Sequence, residues 1–138
     1  MPANCAGMPL PPWVGMQTNS NPPVPQFNGL VVLELSLAVL KRIAPLVTRV
    51  REGNKRLADQ IEDAATSMVL NLGEAAGSSR GTRRARLDNA LGSTEETTVG
   101  LRAAAALGYL SDQEIALVLT DLRRVGAMTC RWIHRRTK

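Results

Sequence analysis

From residue 30 onward, the apolar residues of this chain recur at alternating steps of three and four positions. Such spacing places them on one face of an α-helix and is typical of helices that pack in a bundle. The sequence therefore predicts an all-α protein, an antiparallel up-down-up-down four-helix bundle. The repeating positions are Leu30, Leu33, Leu37, Leu40, Ala44 and Val47; Leu57, Ile61, Ala64, Met68, Leu72 and Ala75; Leu87, Leu91, Thr94, Thr98, Leu101 and Ala105; and Ile115, Leu119, Leu122, Gly126, Thr129 and Ile133.

Local signals mark where these helices begin and end. Pro45 falls inside the first helix and predicts a kink or a local break there. Gly53 is interpreted as a left-handed stop and Asn54 as the N-cap of the second helix. Thr82 is expected to cap the third helix.

The clearest helix start precedes the fourth apolar repeat. Gly108 ends the third helix, and Ser111 and Glu114 then have the Ser-x-x-Glu spacing of a capping box. We therefore expect the fourth helix to begin directly after Ser111.

The N-terminal segment has a different composition. Seven of the eight prolines lie in residues 2–25. The sequence therefore predicts a disordered, flexible Pro-rich arm over residues 1–28 and the helical bundle over residues 29–138. Trp13 is a candidate anchor for docking a partner, although an arm without a specific role fits the same composition.

Composition excludes several classes of protein. The 138 residues include four aromatic residues, one histidine and two cysteines, which argues against an all-β fold, a disulfide framework or a zinc ribbon. The apolar run from Leu30 to Leu40 is interrupted by Glu34 and is shorter than the roughly 20 residues that span a bilayer. No secretory signal pattern is present, so we expect a cytoplasmic protein without membrane contact.

The polar residues offer no catalytic constellation. No Glu-x-x-His pair of the kind that binds two metals in helical bundles occurs. Cys130 and His134 lie one helical turn apart, but the sequence shows no third group that would orient them. The glycine-rich segment 77–82 lacks the Lys-Ser/Thr ending of a P-loop. We expect no enzyme activity, no cofactor and no metal.

Positive charge is concentrated in three blocks of the chain. The net charge is +5, and residues 41–56, 77–86 and 123–138 carry sixteen of the seventeen basic residues. Such clusters favour phosphate backbones, although solvated helix ends give the same pattern. We expect the second and third blocks to lie at opposite ends of the bundle. The candidate nucleic-acid-binding residues are Arg80, Arg83, Arg84, Arg86, Arg123, Arg124, Arg131, Arg135 and Arg136.

Two segments resemble the signature of a known family. The segment 57–75, LADQIEDAATSMVLNLGEA, is similar to the family's Gln-Ile-x-x-Ala-x-Ser run followed by Asn-Ile-Ala-Glu-Gly. The segment 87–96, LDNALGSTEE, is similar to its Leu-x-x-Ala-x-Gly-Ser-x-x-Glu. Over about residues 30–136, the chain thus resembles the four-helix bundle proteins first known as products of intervening sequences in 23S ribosomal RNA genes.

The resemblance implies an oligomeric adaptor. Family relatives include the accessory variability determinant of diversity-generating retroelements, a homopentameric ring with a basic surface that binds a reverse transcriptase and nucleic acid. A homo-oligomer, a pentamer by this resemblance, is therefore expected here, with RNA or DNA and a reverse transcriptase or another protein as partners. The resemblance also marks five motif positions, interpreted mainly as structural: Gln60, Asn71, Glu74, Ser93 and Glu96.

The chain departs from the family pattern in ways that leave a second function open. Glu62 and Asp63 stand where the family commonly has basic residues, which weakens the case for nucleic acid. The Pro-rich arm has no counterpart in the pattern. The alternative is a protein–protein scaffold that docks through the arm around Trp13, without nucleic acid.

Overall fold

The computed structural model describes residues 25–135, with side chains from residue 31 onward. It contains the helices α1 (Pro25–Gly53), α2 (Lys55–Ala76), α3 (Arg80–Ala106) and α4 (Asp112–Ile133), and this described part of the chain has no strand. The all-α prediction is confirmed. Helix α1 begins before the predicted bundle start at residue 29, with proline at its first position, where no backbone donor is needed. Trp13 and Arg136 lie outside the described residues.

Helices α1 and α4 run antiparallel along one side of the bundle. Arg42 of α1 forms an ion pair with the largely buried Asp121 of α4. Seven residues further along α1, Arg49 pairs with Glu114, which precedes Asp121 by seven residues. Because the residue number increases along α1 while that of its partner decreases along α4, the two helices point in opposite directions. The first and last helices of the chain are thus direct neighbours.

Helices α2 and α3 are also antiparallel. The hydroxyl groups of Ser67 and Ser93 are 2.9 Å apart. Glu74, seven residues after Ser67 on α2, pairs with Arg86, seven residues before Ser93 on α3. Substantial packing joins α1 to α2, α2 to α3, α3 to α4 and α4 to α1. This arrangement is compatible with the predicted up-down-up-down bundle.

The core is built almost entirely from aliphatic side chains. Buried alanines between larger residues let the helices approach closely. In α3 the buried threonines direct their hydroxyl groups back to their own helix, since Thr94 donates to the Ala90 carbonyl over 2.7 Å and Thr97 to the Ser93 carbonyl over 2.7 Å. The largest fully buried side chains are Val32, Val39, Ile43, Val50, Ile61, Met68, Leu72, Leu87, Leu91, Leu101, Leu122 and Val125.

The predicted buried face of α1 is wrong in register. Val47 is buried as expected, but Leu37 is 41% exposed and Ala44 is exposed. The residues that face the core have the same helical spacing on a neighbouring face: Val32, Ser36, Val39, Ile43, Val47 and Val50. Helix α1 therefore carries two apolar stripes: one is buried in the core, and the other is only partly covered, with Leu33 and Leu40 packed against the core and Leu37 exposed.

The glycine at the junction of α1 and α2 is required for a different reason than predicted. Asn54 is the N-cap of α2, accepting a hydrogen bond from the Leu57 amide over 3.0 Å, as predicted. Gly53, however, does not adopt a positive φ angle. A Cβ atom at Gly53 would lie 2.7 Å from Cδ1 of Tyr109, so close packing requires the glycine there. Helix α1 continues through Pro45 without a break.

The remaining helix boundaries show one further difference. Ser79, not Thr82, precedes α3 as its N-cap, and Thr82 lies within the first turn. Gly108 has φ of 87°, a left-handed conformation that glycine adopts without strain. Ser111 and Glu114 form the predicted capping box at the start of α4, with both reciprocal hydrogen bonds present.

Candidate nucleic-acid interface

Two of the three basic blocks meet at one end of the bundle. The guanidinium of Arg83, at the start of α3, lies 5.9 Å from the centre of the Trp132 ring in the last turn of α4. The expectation that these blocks occupy opposite ends is therefore wrong. In an alternating bundle α2 and α4 run in the same direction, so the α2–α3 loop and the end of α4 share one end.

We call this surface the basic end. It combines the start of α3 with the last turn of α4 and the residues that follow it, and within the described part of the chain it contains Arg80, Arg83, Arg84, Arg86, Arg131 and Arg135. Asp88 pairs with Arg84, and Glu74 pairs with Arg86. Six arginine charges thus lie at this end of the bundle.

Arg83 is bound into the fold. Its Nε donates to the Ala75 carbonyl over 3.2 Å, and its Nη2 donates to the Ser78 carbonyl over 3.1 Å. The Ala75 carbonyl lies in the last turn of α2, where it also accepts from the Ser78 amide over 3.3 Å, and the Ser78 carbonyl lies in the loop that follows α2. Together with the cation–π contact to Trp132, these hydrogen bonds connect α3 with α4 and with the end of α2 and its loop. The position that the sequence assigns to nucleic acid therefore also has a structural role.

Arg84 and Arg86 form ion pairs that water reaches easily. Arg84 pairs with Asp88, four residues later, over 3.3 Å, and Arg86 pairs with Glu74 over 2.9 Å. Solvent-exposed pairs of this kind contribute about 0–1 kcal/mol. Because so little free energy holds them, both guanidinium groups can exchange a carboxylate for a phosphate at low cost.

The basic residues of α4 divide into two groups. Arg124 is close to Asp121, with 3.5 Å between the nearest atoms. Arg123 and Arg131 are exposed and form no ion pair with any described residue. Arg123 lies about 12 Å from Arg131 along the helix axis, at 1.5 Å per residue. Arg131 therefore belongs to the basic end, whereas Arg123 and Arg124 extend the positive charge along the side of α4.

The first basic block is largely neutralised. Arg42 and Arg49 pair with acidic residues of α4. Arg51 and Lys55 both bind Asp59, and hydrogen bonds from Arg51 and then from Lys55 hold the pKa of this carboxyl below its usual value. In the block at residues 41–56, four of the six basic residues are thus paired with described acidic residues.

Comparison with known proteins identifies the family. Residues 28–131 match the model of a family described as 23S rRNA-intervening sequence protein. The chain belongs to this family. The resemblance noted in the sequence is thereby confirmed.

A solved structure shows the same fold as this member of the 23S rRNA-intervening sequence protein family. It is the crystal structure of a protein of unknown function from the S23 ribosomal protein family of Bacteroides thetaiotaomicron, with a TM-score of 0.73 and 23% sequence identity. The likeness covers 78% of this chain and 99% of that chain. No curated protein matches the chain.

Three of the five family motif positions take part in polar contacts at the α2–α3 interface, Ser93 and Glu74 directly and Asn71 through Ser67. Asn71 Nδ2 donates to the Ser67 carbonyl over 2.9 Å and to the Ser67 hydroxyl over 3.1 Å. The same hydroxyl accepts a hydrogen bond from Ser93. Glu74 forms the ion pair with Arg86 described above. Ser67, which lies inside the quoted motif, is the shared partner that sequence reasoning did not select.

The other two motif positions, Gln60 and Glu96, line a groove between α2 and α3. Within the described residues, no group of three or more His, Cys, Asp and Glu side chains is arranged to hold a metal ion. None of the four helices is both long and apolar enough to cross a membrane.

Proposed function

We propose that this family member is a cytoplasmic, non-enzymatic accessory protein that forms a homo-oligomer and binds RNA or DNA through its basic end. The observation that carries the proposal is the contact between Arg83 and Trp132, which brings two arginine clusters to one surface. Family resemblance supports a pentamer and a reverse transcriptase partner as the setting in which this surface acts.

The chemistry of the basic end suits phosphates better than bases. Its exposed guanidinium groups are fork-shaped donors that match phosphate oxygens. Flexible arginines on a helix end contact the backbone and carry no sequence code of their own. Binding should therefore depend little on sequence and should weaken steeply with salt, because each neutralised phosphate releases a counterion.

Removing two charges from the basic end tests the proposal. We expect Arg84→Gln combined with Arg131→Gln to weaken binding of a labelled RNA or DNA oligonucleotide about tenfold at low salt and to reduce the slope of log K against log salt by about two. The matched control is Arg56→Gln with Arg102→Gln, which removes two exposed charges elsewhere. Fluorescence anisotropy over a range of salt concentrations measures both quantities.

Two results would contradict this function. Equal losses in both double variants would mean that net charge, and not the basic end, attracts the oligonucleotide. An affinity of the unaltered protein that changes little between low and high salt would exclude counterion release as the driving force.

The partly exposed apolar stripe of α1, which contains Leu33 and Leu37, supports the proposal of an oligomer. Leu33 reaches α2 at Gly73, where a Cβ atom would lie 3.9 Å from its Cδ1. One turn further along the antiparallel pair, Leu37 is 41% exposed and Leu70 is 58% exposed. Exposed leucines on adjacent helices form a surface that a second subunit can bury.

Replacing these leucines should therefore dissociate the oligomer. We expect Leu37→Gln with Leu70→Gln to shift the protein to monomers in sedimentation equilibrium while its circular dichroism stays helical, because both side chains lie outside the core. Leu117→Gln, at a position that is 72% exposed on α4, is the control and should leave the assembly intact. A monomeric unaltered protein would remove the basis of the expectation.

A further inference from the structure

A groove of about 630 Å³ runs between the first half of α2 and the second half of α3. It lies away from the basic end, which combines the start of α3 with the last turn of α4. Its apolar lining consists of Leu57, Ile61, Val99 and Ala103. Val99 is 63% exposed, so an aliphatic side chain of the groove faces water. An apolar partner surface would remove that side chain from water.

One of the two glycines in the groove gives a partner close access to its backbone. Gly92 and Gly100 both line it. A Cβ atom at Gly92 would meet no atom within 4 Å, so the backbone of α3 is open there. From Gly92 to Ala103 the groove extends for about 17 Å along α3, which matches a helix of about twelve residues.

The groove also carries negative charge. Asp63, Glu95 and Glu96 line it, and none of them forms an ion pair with a described residue. Glu34, Glu52 and Asp112 are likewise without an ion pair to a described residue, but they do not line the groove. A basic protein thus keeps three unpaired carboxylates along one apolar groove.

We infer that this groove binds a cationic amphipathic helix of a protein partner. Apolar side chains at helical spacing on the partner helix would contact Val99 and the other apolar lining residues. Flanking Lys or Arg side chains of the partner would pair with Asp63, Glu95 and Glu96. The carboxylates repel phosphate backbones, so nucleic acid does not fit here. The chain's own segment 1–24 contains no Lys or Arg and lacks the complementary charge. This site is independent of the basic end.

A synthetic peptide probes the groove directly. The probe is a fluorescein-labelled helical peptide of about 18 residues with leucines on one face and Lys and Arg beside them, and a second peptide has Glu in place of every Lys and Arg. Binding to the full-length protein is followed by anisotropy. The groove variant neutralises the three unpaired carboxylates: Asp63→Asn, Glu95→Gln and Glu96→Gln. The control variant neutralises three exposed acidic residues outside the groove that also lack an ion pair with a described residue: Glu34→Gln, Glu52→Gln and Asp112→Asn.

We expect the cationic peptide to bind and the groove variant to raise its Kd about tenfold, since three exposed charge contacts each contribute a fraction of a kcal/mol up to about 1 kcal/mol. The control variant should change Kd by less than about twofold. Val99→Gln should raise Kd several-fold, whereas Leu117→Gln should not. Amide shifts of Gly92 and Gly100 on titration would locate the peptide.

Four outcomes would overturn the inference. The first is an equal loss of binding in the groove and control variants, and the second is equal binding of the Glu-containing peptide. The third is binding that appears only after residues 1–24 are deleted, which would make the chain's own segment the occupant. The fourth is dissociation of the oligomer by the groove variant in sedimentation, which would make a second copy the occupant.

Discussion

Replacing Arg83 with alanine is expected to lower the free energy of unfolding by about 2–3 kcal/mol. The guanidinium donates to the Ala75 carbonyl in the last turn of α2 and to the Ser78 carbonyl in the following loop, and it makes a cation–π contact with Trp132 of α4. Removing it leaves two carbonyl groups without these donors and exposes one face of the indole ring. Urea unfolding followed by circular dichroism measures the change.

The neighbouring Arg84→Ala variant separates this structural role from the loss of a charge. Arg84 makes an exposed pair with Asp88 on its own helix, so its removal should cost no more than about 0.5 kcal/mol. Arg83→Lys should recover only part of the loss, because a single ammonium group cannot reproduce the fork of donors. Similar small effects for Arg83→Ala and Arg84→Ala would show that Arg83 does not connect the three helices.

The second large effect is expected at Gly100 in the second half of α3. A Cβ atom there would lie 2.7 Å from Cγ1 of the buried Ile61. Leucine at this position would push α2 and α3 apart, and we expect Gly100→Leu to destabilise the bundle by about 2–3 kcal/mol, after allowing about 1 kcal/mol for the better helix former. Chemical unfolding with a fitted m-value measures the loss.

The same substitution two turns earlier is the matched control. A side chain at Gly92 meets no atom within 4 Å, so Gly92→Leu should gain up to about 1 kcal/mol from helix propensity alone. Opposite signs at the two glycines would demonstrate that close α2–α3 packing, and not glycine flexibility, explains Gly100. Stabilisation at both positions would contradict this explanation.

Much of the fold could be predicted because its signals are local. The capping box of Ser111 and Glu114 identifies the start of α4 from two residues, and Asn54 caps α2 by the same kind of chemistry. The register of α1 could not be obtained in this way. Both of its apolar stripes have helical spacing. The larger number of leucines favours the face of Leu37, whereas the face of Val39 is the one buried in the core.

The residues of the basic end could be predicted from the sequence, but their contacts could not. The sequence indicates its arginines only through the clustering of charge. The structure places five of them, near the α2–α3 loop and the end of α4, on the same surface as Arg83. The functional difference among them depends on contacts between residues far apart in the chain. No sequence pattern predicts that Arg83 donates a hydrogen bond to a carbonyl in the last turn of α2 while Arg131 is exposed.

The direct pairing of α1 with α4 has a consequence for synthesis on the ribosome. Glu114 both caps α4 and binds Arg49 of α1, so the last helix is set in place by contacts across 65 residues. A nascent chain that ends before residue 112 has three helices with one apolar side uncovered. Closure of the bundle must therefore wait until α4 has left the exit tunnel, so the first three helices stay incompletely packed until the fourth has been made.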